Sequence, residues 1–242
     1  MTLNYNRIWD DAVSLARGHK EMILAIAGVF IFLPLLAQML FVALPEIKEL
    51  NANGVKTLVE YYQDNFLTLF LFQIPVILGA GTLLALLLSP QRLTAGEAIS
   101  WAGRYFLSLF GLSLVTNLIL IAGFFPLILP MFYLLGRLFL AKPAMMAEGI
   151  SNPITALQRS FALSRGQGWK IAGIIIIVAI VLWIATGAAT AILGIIAALV
   201  LPESGQVIVN HVLAAISGAA MSVVLTLLAA ATYRQVTSNS GI

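Results

Sequence analysis

No cysteine occurs in this chain, which excludes disulfides, thiol chemistry and thiolate metal sites. Histidine is almost absent too. His19 and His211 are far apart in the sequence and neither sits in a cluster of acidic residues, so each reads as a lone interfacial histidine rather than a metal ligand or a base. Charge is the third scarcity: 10% of residues are charged, against about 25% in an ordinary soluble domain. Too few charges remain to cover a water-facing surface. No Walker loop, HExxH or G-x-S-x-G motif occurs. Asp10-Asp11 is the one adjacent carboxylate pair in the first half of a helix-capable segment, and it reads as favourable first-turn charge. Acidic residues are few inside the apolar runs, so a proton or sodium relay lacks its usual groups. These absences point to a chain without enzymatic activity, cofactor, metal or nucleic-acid partner.

What the chain does have is hydrocarbon: 61% of its residues are hydrophobic. Two long stretches, 105–136 and 171–202, carry no charge at all. A bilayer crossing takes about 20 apolar residues, and backbone groups in hydrocarbon must be satisfied internally, by helices or closed barrels. Barrel strands alternate apolar and polar side chains; runs such as Ile174-Ile-Ile-Ile-Val178 do not. The fold class expected is an all-α polytopic membrane protein. Six spans can be placed, at about 22–44, 66–88, 105–124, 127–147, 171–200 and 207–232. The third and fourth share one charge-poor region and form a hairpin turning at Gly123 and Pro126. The fifth is overlong, which implies tilt, a kink near Gly187, or extension past the bilayer. No cleavable leader is expected, because the first apolar run follows a charged amphipathic stretch and is too long for a signal h-region.

Lys and Arg orient these spans. With the N-terminus cytoplasmic, eleven of the thirteen fall inside and only Lys48 and Lys56 outside. The outer segment 45–65 instead carries Glu46, Glu49, Glu60 and Asp64. Both termini are therefore expected in the cytoplasm.

Three short segments precede spans 1, 3 and 5 and share a pattern: Ser14-Leu15-Ala16 before Arg17, Ser100-Trp101-Ala102 before Arg104, and Ser160-Phe161-Ala162 before Arg165. Each fits an amphipathic helix lying in the membrane plane. The second opens on a capping box, Thr94-x-x-Glu97. The third has Asn152 and Pro153 at its start and Gly166 past its end, with Ile154, Leu157 and Phe161 on one stripe. One membrane domain, 1–242, thus divides into repeat-like units 1–90, 91–148 and 149–242, each a cytoplasmic helix followed by a two-span hairpin.

Residues 137–170 hold five of the thirteen cations, Arg137, Lys142, Arg159, Arg165 and Lys170, together with Glu148. The segment Tyr133-Leu-Leu-Gly-Arg137 through Pro143 and Glu148-Gly149, with Ala156-Leu-Gln-Arg159-Ser160, Arg165-Gly166 and Trp169, resembles a bacterial membrane-protein group. That group includes the membrane domain of glycerophosphoryl diester phosphodiesterase and the small YciC-type inner-membrane proteins. The resemblance covers about 40 residues, 133–172. It implies a multi-span module of the bacterial inner membrane. It does not imply phosphodiesterase activity, which belongs to a separate soluble barrel that has no counterpart here.

Arg137 poses an alternative. In a continuous helix it lies eleven residues, three turns, from Glu148 and about 15 Å deep, where a charge is expensive and functional by default. With a break at Pro143 it lies shallow and snorkels. A buried Arg would suit a phosphate, which its planar fork bonds bidentately. Arg159, Arg165, Lys170 and Lys142 either form a surface for anionic phospholipid, at about 1 kcal/mol per juxtamembrane cation, or only enforce orientation. Trp101 and Trp169 read as interfacial anchors. The small-residue ladders Gly187-xxx-Ala191, Gly194-xxx-Ala198 and Ala214-xxx-Gly218-xxx-Ser222 permit close packing of spans 5 and 6, or a dimer face. The functional expectation is a lipid-interacting protein of envelope homeostasis. The rivals are a small-solute transporter or channel, which would need a polar cavity reaching Arg137 or Asn117, and a scaffold for a partner protein or a second copy.

Overall fold

The computed structural model describes residues 3–42, 52–89, 93–124 and 128–240, and all the regular structure among them is helical. In chain order the helices are α1 Tyr5–Gly18, α2 Lys20–Ala27, a π turn Gly28–Phe32, α3 Leu33–Phe41, α4 Ala52–Asp64, α5 Phe66–Leu88, α6 Ala95–Arg104, α7 Phe106–Phe124, α8 Ile128–Leu138, α9 Ala141–Glu148, α10 Pro153–Leu163, α11 Gly168–Val200 and α12 Glu203–Ser240. Among the described residues five helices are long and apolar enough to cross a membrane: Lys20–Phe41, which continues through the π turn, Phe66–Leu88, Phe106–Gly123, Gly168–Val200 and Glu203–Ser238. This is a membrane-embedded, all-α protein.

Local chemistry accounts for the element boundaries. The π turn lies just ahead of Pro34, and Leu33 N–H reaches back five residues to Gly28 O. Proline offers no N–H and crowds the carbonyl four residues earlier, and a widened turn relieves that crowding. Pro75 is absorbed inside α5 without a break. At Pro143 the same conflict is resolved differently: α8 stops at Leu138, Phe139 and Leu140 turn, and α9 begins at Ala141. The missing N–H of Pro143 would have paired with Phe139, so the helix breaks there. The region expected as one fourth span is thus two helices of 11 and 8 residues, neither of which qualifies alone as a crossing. α6 starts on the capping box, with Thr94 N–H and hydroxyl both donating to Glu97 Oε2 at 2.8 Å and Glu97 N–H donating to Thr94 Oγ1 at 3.4 Å. α9 ends on Gly149 at φ 65°, and Gly166 at φ 72° closes the turn after α10, both left-handed positions that suit glycine.

The helix contacts close into a cycle. The short helix α6 packs on α5, α10 packs on α9 and α8, and α1 packs on α12. The long helix that follows each short one makes the same choice. α7 touches α5 as well as α8, α11 touches α8 as well as α12, and α3 touches α12 as well as α5. α5, α9 and α12 meet one another at the centre. Small side chains permit that approach: Ala85, Ala141, Ala144, Ala230 and Ala231 are almost wholly buried. Outward lie Leu24, Leu33, Leu67, Leu71, Leu107 and Leu118, all exposed apolar residues suited to lipid.

Several details differ from the sequence expectations. Within the segment 45–65, read from the sequence as a loop between spans, lies a helix, α4, with Lys56 and Glu60 paired at 3.6 Å. α11 runs unbroken through Gly187. At 33 residues it is about 50 Å long, and between Val178 and Val200 only Ala197 is buried. The small-residue ladders do not all serve the α11–α12 contact. A Cβ on Gly218 would meet Leu35 of α3 at 3.2 Å, one on Gly194 would meet Asn210 at 3.5 Å, and one on Gly187 would meet nothing within 4 Å. α7 continues through Gly123; Pro126, like Pro45, Glu46, Lys48, Glu49, Pro90 and Arg92, lies outside the described residues.

Candidate functional site

The end of the bundle that carries α1, α6 and α10 is knitted by side-chain bonds to backbone carbonyls. Trp101 Nε1 donates to Met146 O at 3.3 Å, Tyr5 OH to Lys170 O at 3.0 Å, and Ser108 Oγ to Ser151 O. Trp101 therefore ties α6 to α9, besides lying against Tyr105 in a tilted contact with ring centroids 5.4 Å apart. Trp169 is exposed, with its ring 5.6 Å from that of Tyr133.

The six candidate headgroup residues do not form one site. Glu148, at the C-terminus of α9, accepts from Arg159 Nε on both oxygens, at 2.8 and 2.9 Å, and from Tyr233 OH at 2.8 Å. It is not the partner of Arg137. The expected Arg137–Glu148 pairing along one face required a continuous helix, and the Phe139–Leu140 turn removes it. Arg159 is correspondingly spent on a protein carboxylate through Nε.

Arg137 lies in the last turn of α8, beside α10. Its guanidinium carbon sits 4.8 Å from the Phe161 ring centroid and 5.9 Å from that of Tyr133, within cation–π range. Its Nε is buried without a hydrogen-bond partner. Its own carbonyl, near a helix end where acceptors are orphaned, receives Ser160 Oγ at 2.6 Å and Ser164 Oγ at 3.3 Å. The Arg137 side chain also lies against Gly168: a Cβ there would come within 2.8 Å of Arg137 Cδ. Gly168 in turn crosses Gly136, where an added Cβ would collide with the Gly168 carbonyl. Much of the 133–172 segment is thus accounted for by packing. Gly136 allows the α8–α11 approach, Ser160 caps α8, Phe161 covers Arg137, and Glu148 holds Arg159. Arg165 and Lys170 remain exposed on either side of Gly168.

Lys142 goes elsewhere. It lines a half-open cavity of about 310 Å³ between α5, α7, α8, α9 and α12. Sequence reasoning grouped it with the surface cations and missed this cavity. The available signal was the polar residues inside otherwise apolar runs: Gln73, Thr116, Ser222 and Thr226 all line it. The cavity reaches neither Arg137 nor Asn117. Among the described residues no cluster of three or more His, Cys, Asp or Glu could hold a metal ion. In comparisons with protein-family models, curated proteins and solved structures, the chain matches none of them.

Proposed function

We propose that this protein is a non-enzymatic module of the bacterial inner membrane that engages anionic phospholipid headgroups at the end carrying α1, α6 and α10. One observation carries the proposal: Arg165, Trp169 and Lys170 are exposed together at the α10–α11 junction, around the glycine against which Arg137 lies with its Nε unpaired. Two juxtamembrane cations at about 1 kcal/mol each, with a tryptophan that favours the interface, suit a phosphate-bearing surface. The resemblance of 133–172 to the inner-membrane group named above agrees with it.

The same proposal gives the chain six crossings and cytoplasmic termini, with α8 and α9 together making the return crossing that neither makes alone. Support comes from the bonds Trp101–Met146 and Ser108–Ser151, which bring the end of α9 back to the start of α7. The cyclic helix contacts support three repeat-like units, each leaning its short helix and first long helix on the second helix of the unit before.

The test is native mass spectrometry of the protein released from nanodiscs that mix phosphatidylglycerol with phosphatidylcholine. Wild type should retain phosphatidylglycerol preferentially, and Arg165→Gln with Lys170→Gln should cut that preference on the order of tenfold. Equal retention of both lipids by wild type would sink the proposal. The rival reading, a small-solute transporter, calls for a polar cavity reaching Arg137 or Asn117, and the mostly apolar cavity beside Lys142 reaches neither.

A further inference from the structure

Lys142 and Gln73 line the same cavity, and neither side chain has a hydrogen-bond or ion-pair partner among the described residues. Among the described residues no carboxylate lines the cavity. Glu148, the acidic residue nearest in the chain, is already held by Arg159 and Tyr233. The other polar lining groups cannot neutralise an ammonium: they are the hydroxyls of Thr116, Ser222 and Thr226, and Thr226 Oγ1 is spent on Ser222 O at 2.8 Å. A cation within a helical membrane bundle, lining a cavity and lacking a protein counter-charge, is a functional group by default. Most of the wall is hydrocarbon from residues such as Ile77, Leu84, Leu120 and Leu138.

The direction of the helices orders the cavity along the bundle axis. α5 and α12 run the same way, toward the end that carries the short helices. Gln73 and Ser222 therefore mark one end and Leu84 and Ala229 the other; Lys142, six residues before the Glu148 that Tyr233 holds, lies toward the second. Gln73 and Leu84 are eleven residues apart on α5, about 16 Å of rise. The result is a narrow apolar slot with one positive charge at one end and an amide at the other. At about 310 Å³ it sits at the bottom of the range of ~300–1,000 Å³ typical of ligand pockets. That suits one short hydrocarbon chain and excludes enclosure of a two-chain phospholipid.

We infer that this cavity binds an anionic single-chain amphiphile, its anionic head on the Lys142 ammonium and its chain along the α5–α12 wall. The shared chemistry is a carboxylate or phosphate monoester on a short alkyl chain. Two sources can supply it: a free amphiphile, or one chain and head of an anionic lipid entering from the bilayer. This site is separate from the α10–α11 surface and does not depend on it.

The experiment titrates wild type in phosphatidylcholine nanodiscs with decanoate, decyl phosphate, decanol and didecanoyl phosphatidic acid, following binding by calorimetry. Decanoate or decyl phosphate should bind about tenfold or more tightly than decanol. Lys142→Met should erase that difference, Lys142→Arg should keep most of it, and Ala80→Phe should abolish binding by filling the slot. Binding of phosphatidic acid at the same site, competed by decanoate, would assign the bilayer as the source; decanoate binding without that competition would assign the free amphiphile. Arg165→Gln with Lys170→Gln should leave decanoate affinity unchanged, so failure of the surface proposal and failure of this one are distinguishable. Equal binding of decanol and decanoate, full decanoate affinity in a folded Lys142→Met protein, or no binding by wild type would each overturn the inference.

Discussion

Arg159 donates one Nε–H across both carboxylate oxygens of Glu148, at 2.8 and 2.9 Å, and so holds α10 against the end of α9. Tyr233 of α12 donates to the same carboxylate at 2.8 Å. Two consecutive helices and a third distant in the chain meet on one acidic group. About a quarter of each charged side chain is exposed, 26% for Arg159 and 28% for Glu148. Solvent therefore screens the pair, and the 3–5 kcal/mol of a fully buried one does not apply. Arg159→Ala should cost about 1–2 kcal/mol, and Tyr233→Phe about 1 kcal/mol. Thermal melts in detergent should show both, and an Arg159→Ala, Glu148→Ala double-mutant cycle should give favourable coupling. A coupling of zero would make the contact incidental.

Gly136 and Gly187 predict different outcomes for two glycine substitutions. A Cβ on Gly136 would run into the Gly168 carbonyl and lie 2.8 Å from Ala172 N and 3.1 Å from Ala172 Cβ. The obstacles include backbone of α11, which cannot rotate away. Overpacking of this kind costs about 1–3 kcal/mol, which exceeds the roughly 1 kcal/mol of helix propensity that alanine returns. Gly136→Ala should therefore lower the melting temperature. Gly187→Ala, where nothing lies within 4 Å, should raise it or leave it unchanged. If both variants behaved alike, close crossing of α8 and α11 would not be what Gly136 provides.

The parts legible in the sequence are those with local causes. Thr94 and Glu97 are three residues apart and announce the start of α6; Asn152, Pro153 and Gly166 frame α10; long uncharged runs announce α5, α7, α11 and α12. The break before α9 also had a local cause, since Pro143 cannot bond to Phe139, but the sequence left it open as an alternative to one continuous span. The partner of Glu148 was not legible, because Tyr233 lies 85 residues away and Arg159 becomes available only after the chain turns at Gly149. Nor was the cavity. A void is set by what several helices leave between them, and Lys142 in isolation is indistinguishable from the surface cations around it.

Glu97 supplies a pH dependence. Its carboxylate accepts Thr94 N–H, and then the Thr94 hydroxyl, and both hold its pKa below the usual glutamate value. A group whose folded pKa is depressed contributes stability above its unfolded pKa and loses it as pH falls through the folded value. The α6 cap should therefore loosen on acidification, and a carboxyl NMR titration in micelles should place Glu97 below the ordinary glutamate value. In Thr94→Ala that separation should shrink, since the hydroxyl bond is gone, while the backbone donor retains part of it. A Glu97 midpoint at the ordinary value in wild type would contradict the capping box.

The absence of cysteine makes topology directly measurable, because single thiols can be introduced into an otherwise thiol-free chain. Six crossings with cytoplasmic termini put Asp10 of α1, Arg104 of α6 and Gln158 of α10 on one side of the membrane, and Gln63 of α4 and Ser204 of α12 on the other. All five are exposed. In spheroplasts an impermeant maleimide should label Gln63→Cys and Ser204→Cys at once, and Asp10→Cys, Arg104→Cys and Gln158→Cys only after permeabilisation. The decisive pair is Arg104→Cys and Gln158→Cys, because α7, α8 and α9 lie between them. If α8 and α9 together cross, these two thiols share a side. If α7 alone crosses, they label from opposite sides, Trp101 could not reach Met146, and the cyclic contacts of α6 and α10 would have to be abandoned along with the sixth crossing.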